Sequence, residues 1–268
     1  MKFSIPTTVL GRTGLRVTRL GIGGGYCKTV EGYRAALDCG INYIDTARAY
    51  RDGEDEKVIG EAISGQRDQI VLATKTQQPE VEGARRDLEA SLQSLRTNYV
   101  DIWQMHDLNS QAQLGRVLKP KGFLETALRA REEGLIRFIG VTGHDWQLLQ
   151  KAVATGHFDT VLCWYNCTMK SPERNLFPES LVQNAGVVIM NASRNDKLFG
   201  GKDAPPPEDF YRYVLSHPAV HLTLRGLRNI DLFLRIARSL SERDTLAPQE
   251  RNRLEEYGER MRAAGKLE

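Results

Sequence analysis

The sequence predicts a closed (β/α)8 barrel with a β-hairpin before it and one extra helix after it. Three observations lead there. Apolar strand-like runs alternate with helix-period runs eight times along the chain. The length, 268 residues, suits one such barrel, which takes about 250. Three consecutive strands end at, or just before, side chains able to do chemistry, and strand ends of a parallel α/β protein lie on one face.

Taken in order, residues 7–10 and 15–18 alternate around the Gly11-Arg-Thr-Gly14 turn and read as the hairpin. A strand over 20–23 leads into a helix over 29–38 closed by Gly40. The second strand ends at Asp45 and precedes a helix over 56–63. The third, 70–75, ends at Lys75, and the long helix over 79–95 carries Leu88, Leu92 and Leu95 on one face. The fourth, 100–105, runs into His106 and is followed by a helix over 123–133 stopped by Gly134. A fifth strand over 136–142 precedes a helix over 146–154, and a sixth over 160–164 precedes a helix near 178–184 ended by Gly186. The seventh strand is 187–190, with a helix over 208–216 beyond the Pro205-Pro-Pro loop. The eighth, 220–224, is followed by a helix over 230–240, and a charged amphipathic segment, 248–264, reads as a helix covering part of the barrel. The units share no sequence pattern, so their spacing of roughly 30 residues is not that of a solenoid. No linker interrupts them, and residues 1–268 are expected to form one domain. Stretches 108–121 and 194–207 read as the loops on which substrate identity depends.

Composition narrows the function classes. Thirty-seven basic and 34 acidic residues give a net charge of +3, spread without blocks, which argues against nucleic acid or an anionic membrane as the main partner. Four cysteines (Cys27, Cys39, Cys163, Cys167) show no CxxC spacing and fit a reduced setting. Residues 1–6 turn polar too soon for a signal peptide, and no apolar run approaches the ~18 residues of a membrane span. A cytoplasmic protein is expected. Oligomeric state cannot be read.

The strongest constellation is Asp45, Tyr50, Lys75 and His106. Singly, a strand-end Asp reads as a cap and a lone Tyr as packing. As a set they suit carbonyl chemistry, which needs a hydride at carbon and a proton at oxygen. A phenol, with a pKa of ~10, is a poor acid near neutrality unless tuned. A neighbouring ammonium stabilises the phenolate, a carboxylate holds the ammonium, and an imidazole can orient the substrate oxygen. Gly21-Ile-Gly-Gly-Gly-Tyr26 lies where a dinucleotide fingerprint would, with Asp45 where its ribose-binding acid would be. Tyr26 occupies the third glycine position, so the stretch reads as an ordinary tight turn. His106-Asp107 and His144-Asp145 could suggest a metal centre, but no HxH or HExxH accompanies them, and no metal is expected. His157, His217 and His221 read as structural or solvated, and Cys163 and Cys167 as packing.

Nearly the whole chain resembles the aldo-keto reductase family. The blocks that carry the resemblance are LGRTGLRVTRLGIGGG from Leu10, GINYIDTARAYRDGEDEKVIGEAI from Gly40, VLATK, YVDIWQMHD, EEGLIRFIGVTG and FDTVLCWYN, in the family's order. The resemblance implies a TIM barrel and NADP(H) as cofactor over its carboxy-terminal face. It implies Asp45, Tyr50, Lys75 and His106 as the catalytic tetrad. By the same resemblance the cofactor is held by Gly23 and Asp45, by Thr142 and Gly143 after strand five, by Met190 and Asn191 after strand seven, and by Gly226 and Arg228 after strand eight. Leu162 stands where the family has a Gln, while Leu232, Arg235 and Ile236 stand at its adenine contacts. The activity implied is reduction of an aldehyde or ketone, or oxidation of the corresponding alcohol or sugar. A nucleotide-binding regulatory barrel and an isomerase or lyase on the same scaffold are the alternatives. A guanidinium at a helix amino end can bind a 2′-phosphate bidentately, so Arg228 is expected to favour NADPH over NADH.

Overall fold

Strands that are apolar on both faces need a core on each side, and this chain builds two. The computed structural model describes residues 2–265; Met1 and 266–268 of the expected domain lie outside the described residues. Strands β3 (Leu20–Gly23), β4 (Tyr43–Asp45), β5 (Val71–Thr76), β6 (Val100–Met105), β7 (Ile136–Thr142), β8 (Thr160–Trp164), β9 (Gly186–Met190) and β10 (Leu222–Gly226) form a closed barrel, with β10 pairing back onto β3. Neighbouring strands are all parallel. The expected hairpin is β1 (Thr7–Val9) against β2 (Arg16–Thr18). Helices α1 (Val30–Asp38), α2 (Glu54–Ala62), α3 (Val81–Ser94), α4 (Gln111–Leu118), α5 (Phe123–Glu132), α6 (Trp146–Ala154), α7 (Leu176–Val182), α8 (Pro207–Leu215) and α9 (Ile230–Glu242) follow the strands, and α10 (Pro248–Ala263) is the extra one. Among the described residues no helix is long and apolar enough to cross a membrane.

Because side chains alternate along a strand, each barrel strand feeds both cores. Tyr43, Val71, Ala73, Ile102, Leu162, Val188, Leu222 and Leu224 fill the barrel interior. Ile44, Leu72, Trp103, Ile139, Val161 and Ile189 face the helices instead. Trp103 packs on Phe123 of α5 with ring centroids 4.7 Å apart. Leu10, Leu15 and Val17 of the hairpin belong to the interior cluster, so the hairpin plugs the amino-terminal end. Asn42, just before β4, accepts the Thr18 N–H at 2.7 Å and ties the plug to the barrel.

The structure corrects three details. Gly186 does not end a helix; it opens β9, where a Cβ would lie 2.6 Å from Leu10 of the plug. The left-handed residue after α7 is Asn184 (φ 50°) instead. Strand β10 starts two residues later than expected, because Ala219 and Val220 are spent in the outer core while Thr223 pairs with Leu20. Residues 108–121, expected as a loop, contain α4, whose amino end is capped by Ser110 accepting the Gln113 N–H. The β10 shift carries that strand's carboxy-terminal end on to Gly226, and none of these changes moves Asp45, Lys75 or His106.

Asp101, 1% exposed, staples three strands at the opposite end. It accepts from Arg67 (2.9 Å), the Leu72 N–H (2.9 Å) and Arg137 (2.6 Å). Asp101→Ala leaves the buried Leu72 N–H without its acceptor and takes a countercharge from Arg67, and should cost about 1–3 kcal/mol. Urea unfolding of the two proteins checks this; a loss under about 1 kcal/mol would show that the staple contributes little.

Candidate active site

Three neighbouring strands aim their last inward position at one small volume. Asp45 lies two residues beyond Tyr43 on β4, Lys75 two beyond Ala73 on β5, and Gln104 two beyond Ile102 on β6, so alternation turns all three inward above the apolar core. Lys75 is 1% and Asp45 2% exposed. An ammonium has three N–H groups, and each finds an acceptor: Asp45 Oδ1 at 2.5 Å, the Thr46 carbonyl at 2.7 Å and the Tyr50 hydroxyl at 3.2 Å. Burial works against the Lys75 charge, but Asp45 and Tyr50 outweigh it and hold the ammonium above its ordinary pKa. Burial also raises the Asp45 carboxyl, against the opposing pull of Lys75 and then Gln104.

Two buried acids of α2 brace the turn that carries Tyr50. Asp55 accepts from the hydroxyls of Thr46 and Tyr33, both at 2.7 Å, which fixes the residue whose carbonyl meets Lys75. Glu56 accepts from Thr74 (2.7 Å) and Arg48 (2.5 Å). Gly53 adopts left-handed backbone (φ 85°), and a Cβ there would push the Arg48 guanidinium off Glu56. Arg51 and Asp52 adopt left-handed backbone (φ 52° and 54°), and Arg51 donates to the Cys27 carbonyl at 2.8 Å.

His106 stands edge-on to the Tyr50 ring, centroids 5.6 Å apart. Burial, then the Lys75 charge and then His144, pull its pKa down to about 3. The imidazole is therefore neutral at physiological pH. Its Nδ1 is buried with no hydrogen-bond partner among the described residues.

These four residues open into a cleft of about 350 Å³, which Gly23, Thr142, Met190, Asn191, Gly226 and Arg228 also line. Gly143 does not reach it. Its N–H turns to the Leu162 carbonyl (3.3 Å), and a Cβ there would lie 2.7 Å from the Leu108 carbonyl oxygen. His144 lines the cleft instead, its Nε2 3.6 Å from Asp107 and its ring 4.4 Å from that of Trp164. Asp145 is spent capping α6, and among the described residues no three His, Cys, Asp or Glu side chains are grouped as metal ligands. Leu162 faces the cleft, but Ile236 is core and Arg235 is paired with Glu208 at 2.9 Å. His217 and His221 accept backbone N–H groups at Nδ1, and the four cysteines are buried and free.

Sequence reasoning missed several residues in and beneath the cleft. Gln104 donates to Asp45 Oδ2 at 2.8 Å; the available signal was its inward parity with Ile102. Tyr26 lies beneath the Arg228 guanidinium, 4.2 Å from its centroid, and fills the space over Gly226. Arg225 clasps Asp196 through both terminal nitrogens (2.9 and 3.2 Å) and is bonded to the Tyr211 hydroxyl (2.5 Å). Asp196 sits in a run of left-handed residues, Arg194 to Asp196, that no sequence pattern announced.

A parallel eight-stranded barrel with a buried Asp–Lys pair under a tyrosine at its carboxy-terminal mouth defines a narrow class. Residues 26–195 match the family model described as Aldo/keto reductase family; the chain belongs to the aldo-keto reductases. It is 31% identical over 194 residues to the aldo-keto reductase YhdN of Bacillus subtilis (strain 168), a stretch covering 64% of this chain and 57% of that relative. The match therefore spans little more than half of that relative's length. Among solved structures, aldo-keto reductase AKR11C1 from Bacillus halodurans, in its holo form, superposes with a TM-score of 0.84 at 22% identity, covering 94% of this chain and 96% of that one, and is a likeness of fold. An aldo-keto reductase from Klebsiella pneumoniae in complex with NADPH superposes with a TM-score of 0.77 at 25% identity, covering 96% and 95%.

The depressed His106 pKa has a consequence for stability. Above pH ~6.5 the imidazole is neutral folded and unfolded, and contributes nothing. Below that, the unfolded chain takes up a proton that the folded protein refuses until about pH 3, so stability is lost as pH falls through this window. His106→Asn removes the effect. Its melting temperature should fall less than that of wild type between about pH 7 and pH 5; parallel curves would mean that the imidazole protonates in place.

Proposed function

We propose that the protein is an NADP(H)-dependent oxidoreductase that reduces an aldehyde or ketone, or oxidises the corresponding alcohol or sugar. One observation carries the reading: a tyrosine hydroxyl at the cleft floor is hydrogen-bonded to a fully buried, carboxylate-paired ammonium. Structural ion pairs have no need of a phenol facing an open cleft.

The cleft's own features fit a dinucleotide. Gly23 and Gly226 present bare backbone to it, and Arg225 Nε is buried there without a partner among the described residues. Arg228 stands just before the Asn229 cap of α9, where free N–H groups and a partial positive charge suit a phosphate. Met190, Asn191, Thr142 and Gly226 would hold the group beside it. When bound, a nicotinamide supplies the hydride for the carbonyl carbon. Tyr50 gives its proton to the carbonyl oxygen, and Lys75 stabilises the charge left on the phenol oxygen. Asp45 keeps that ammonium in place. Neutral His106 is no competing acid near pH 7; it holds the oxygen in line with the phenol. The free, buried cysteines suit a cytoplasmic setting, and a small carbonyl or alcohol is the partner expected.

Tyr50→Phe tests the chemistry. Turnover of a model aldehyde should fall roughly 10²- to 10⁴-fold, while the NADPH dissociation constant stays near that of wild type. Turnover close to wild type would remove Tyr50 from its role and the reading with it.

Arg228→Ala tests the cofactor preference. A charge-assisted contact to the 2′-phosphate makes a preference for NADPH of about 10- to 100-fold. The substitution should weaken NADPH by that factor and barely alter NADH. Equal losses for both, or none, would show that Arg228 does not read the 2′-phosphate.

A further inference from the structure

The carboxylate of the tetrad has a second partner that the chemistry above leaves unused. Asp45 gives one oxygen to the Lys75 ammonium and the other to the Gln104 side-chain amide, at 2.8 Å. Gln104 is 1% exposed. It stands opposite Lys75 in the β5–β6 register and opposite Gly140 in the β6–β7 register. Gly140 makes room for it, since a Cβ there would lie 2.7 Å from Gln104 Cγ and 2.6 Å from Thr160 Oγ1. A glutamine placed in the top layer of a barrel interior, in a space left open by a glycine, has one side-chain hydrogen bond among the described residues to account for it: that to Asp45.

We propose that Gln104 is a positioning residue for the proton transfer, fixing the Asp45 carboxylate towards Lys75 so that the ammonium stays beneath Tyr50. The inference rests on the reading of Tyr50 as the proton donor. A carboxylate can accept at both oxygens, and an unpaired oxygen in a dry site is costly. Without the amide, Asp45 Oδ2 loses its partner, and Lys75 alone is left to oppose a rotation of the carboxylate. The charged and titratable groups facing Asp45 are Lys75 from β5, Tyr50 from the following turn, Asp55 from α2 and Tyr43 from its own strand. Burial first, and Asp55 after it, favours the protonated carboxyl, whereas Lys75 and then Gln104 favour the carboxylate. Losing Gln104 therefore moves the protonation of Asp45 to higher pH. Once Asp45 is protonated, the ammonium loses its countercharge in a place where burial already works against it, and the phenol loses its stabiliser.

The test uses Gln104→Leu, with Gln104→Met as a second variant of nearly the same length should the first fail to fold. Turnover near neutral pH should fall about 10-fold or more, and the acid limb of the turnover profile should move to higher pH. The aldehyde KM and the NADPH dissociation constant should stay within about twofold, because neither ligand touches an amide beneath Asp45. Carboxyl carbon NMR of the ligand-free protein should show Asp45 titrating at higher pH than in wild type. Placed on Tyr50→Phe, the same substitution should cost nothing further, since the two residues act as one unit. An unshifted Asp45 titration with unchanged turnover overturns the inference, and so does a loss repeated in full on the Tyr50→Phe background. Retained activity in Tyr50→Phe alone would instead sink the functional reading, while the NMR titration still decides the role of Gln104.

Discussion

An ammonium that is 1% exposed must be neutralised and hydrogen-bonded on every N–H, and the mouth of this barrel is arranged around that requirement. Lys75 can sit there only because β4 supplies a carboxylate, the next residue a carbonyl and the following turn a hydroxyl. Two of these acceptors are in turn held, and the turn that carries the third is braced. Asp55 pins Thr46, Glu56 ties Thr74 and Arg48 together, and Gln104 occupies the far oxygen of Asp45. Removing any one of these leaves a buried polar group short of a partner, so the loop after β4, α2 and the tops of β5 and β6 behave as one polar unit.

Much of this was legible in the sequence, for a physical reason. A strand buried on both faces is an apolar run, and a charged or aromatic residue at its end stands out against that run; Asp45, Lys75 and His106 are visible on this ground alone. What was not legible depends on closure. The partner of Gln104 lies 59 residues away along the chain and meets it only because the sheet curls into a barrel. Gly186 illustrates the converse. A glycine after a helix reads as its terminator, yet Asn184 takes the left-handed conformation and Gly186 is needed where the plug comes close. Gly143 was placed by its position after β7, but the chain turns it towards Leu108 and sends His144 to the cleft.

The arginines at the outer end of the cleft and on the helix beyond it show the same limit in electrostatic form. Arg225, Arg228 and Arg235 are identical as letters and close in sequence. The fold commits Arg225 to Asp196 and Arg235 to Glu208, while Arg228 makes no ion pair among the described residues and rests its planar face on Tyr26. A stacked guanidinium keeps its edge N–H groups available. Of three equal charges, the fold leaves one to meet an incoming anion, and the choice was made by the surrounding helices and loops.

The hairpin plug reaches further than packing. Leu10, Leu15 and Val17 close the lower end, and apolar side chains fill the interior beneath the Asp45–Lys75 pair. The pair itself borders the cleft beside Tyr50 and His106. A molecule lodged in the cleft would therefore cover from above what the plug covers from below, and the buried charges would be dry on both sides.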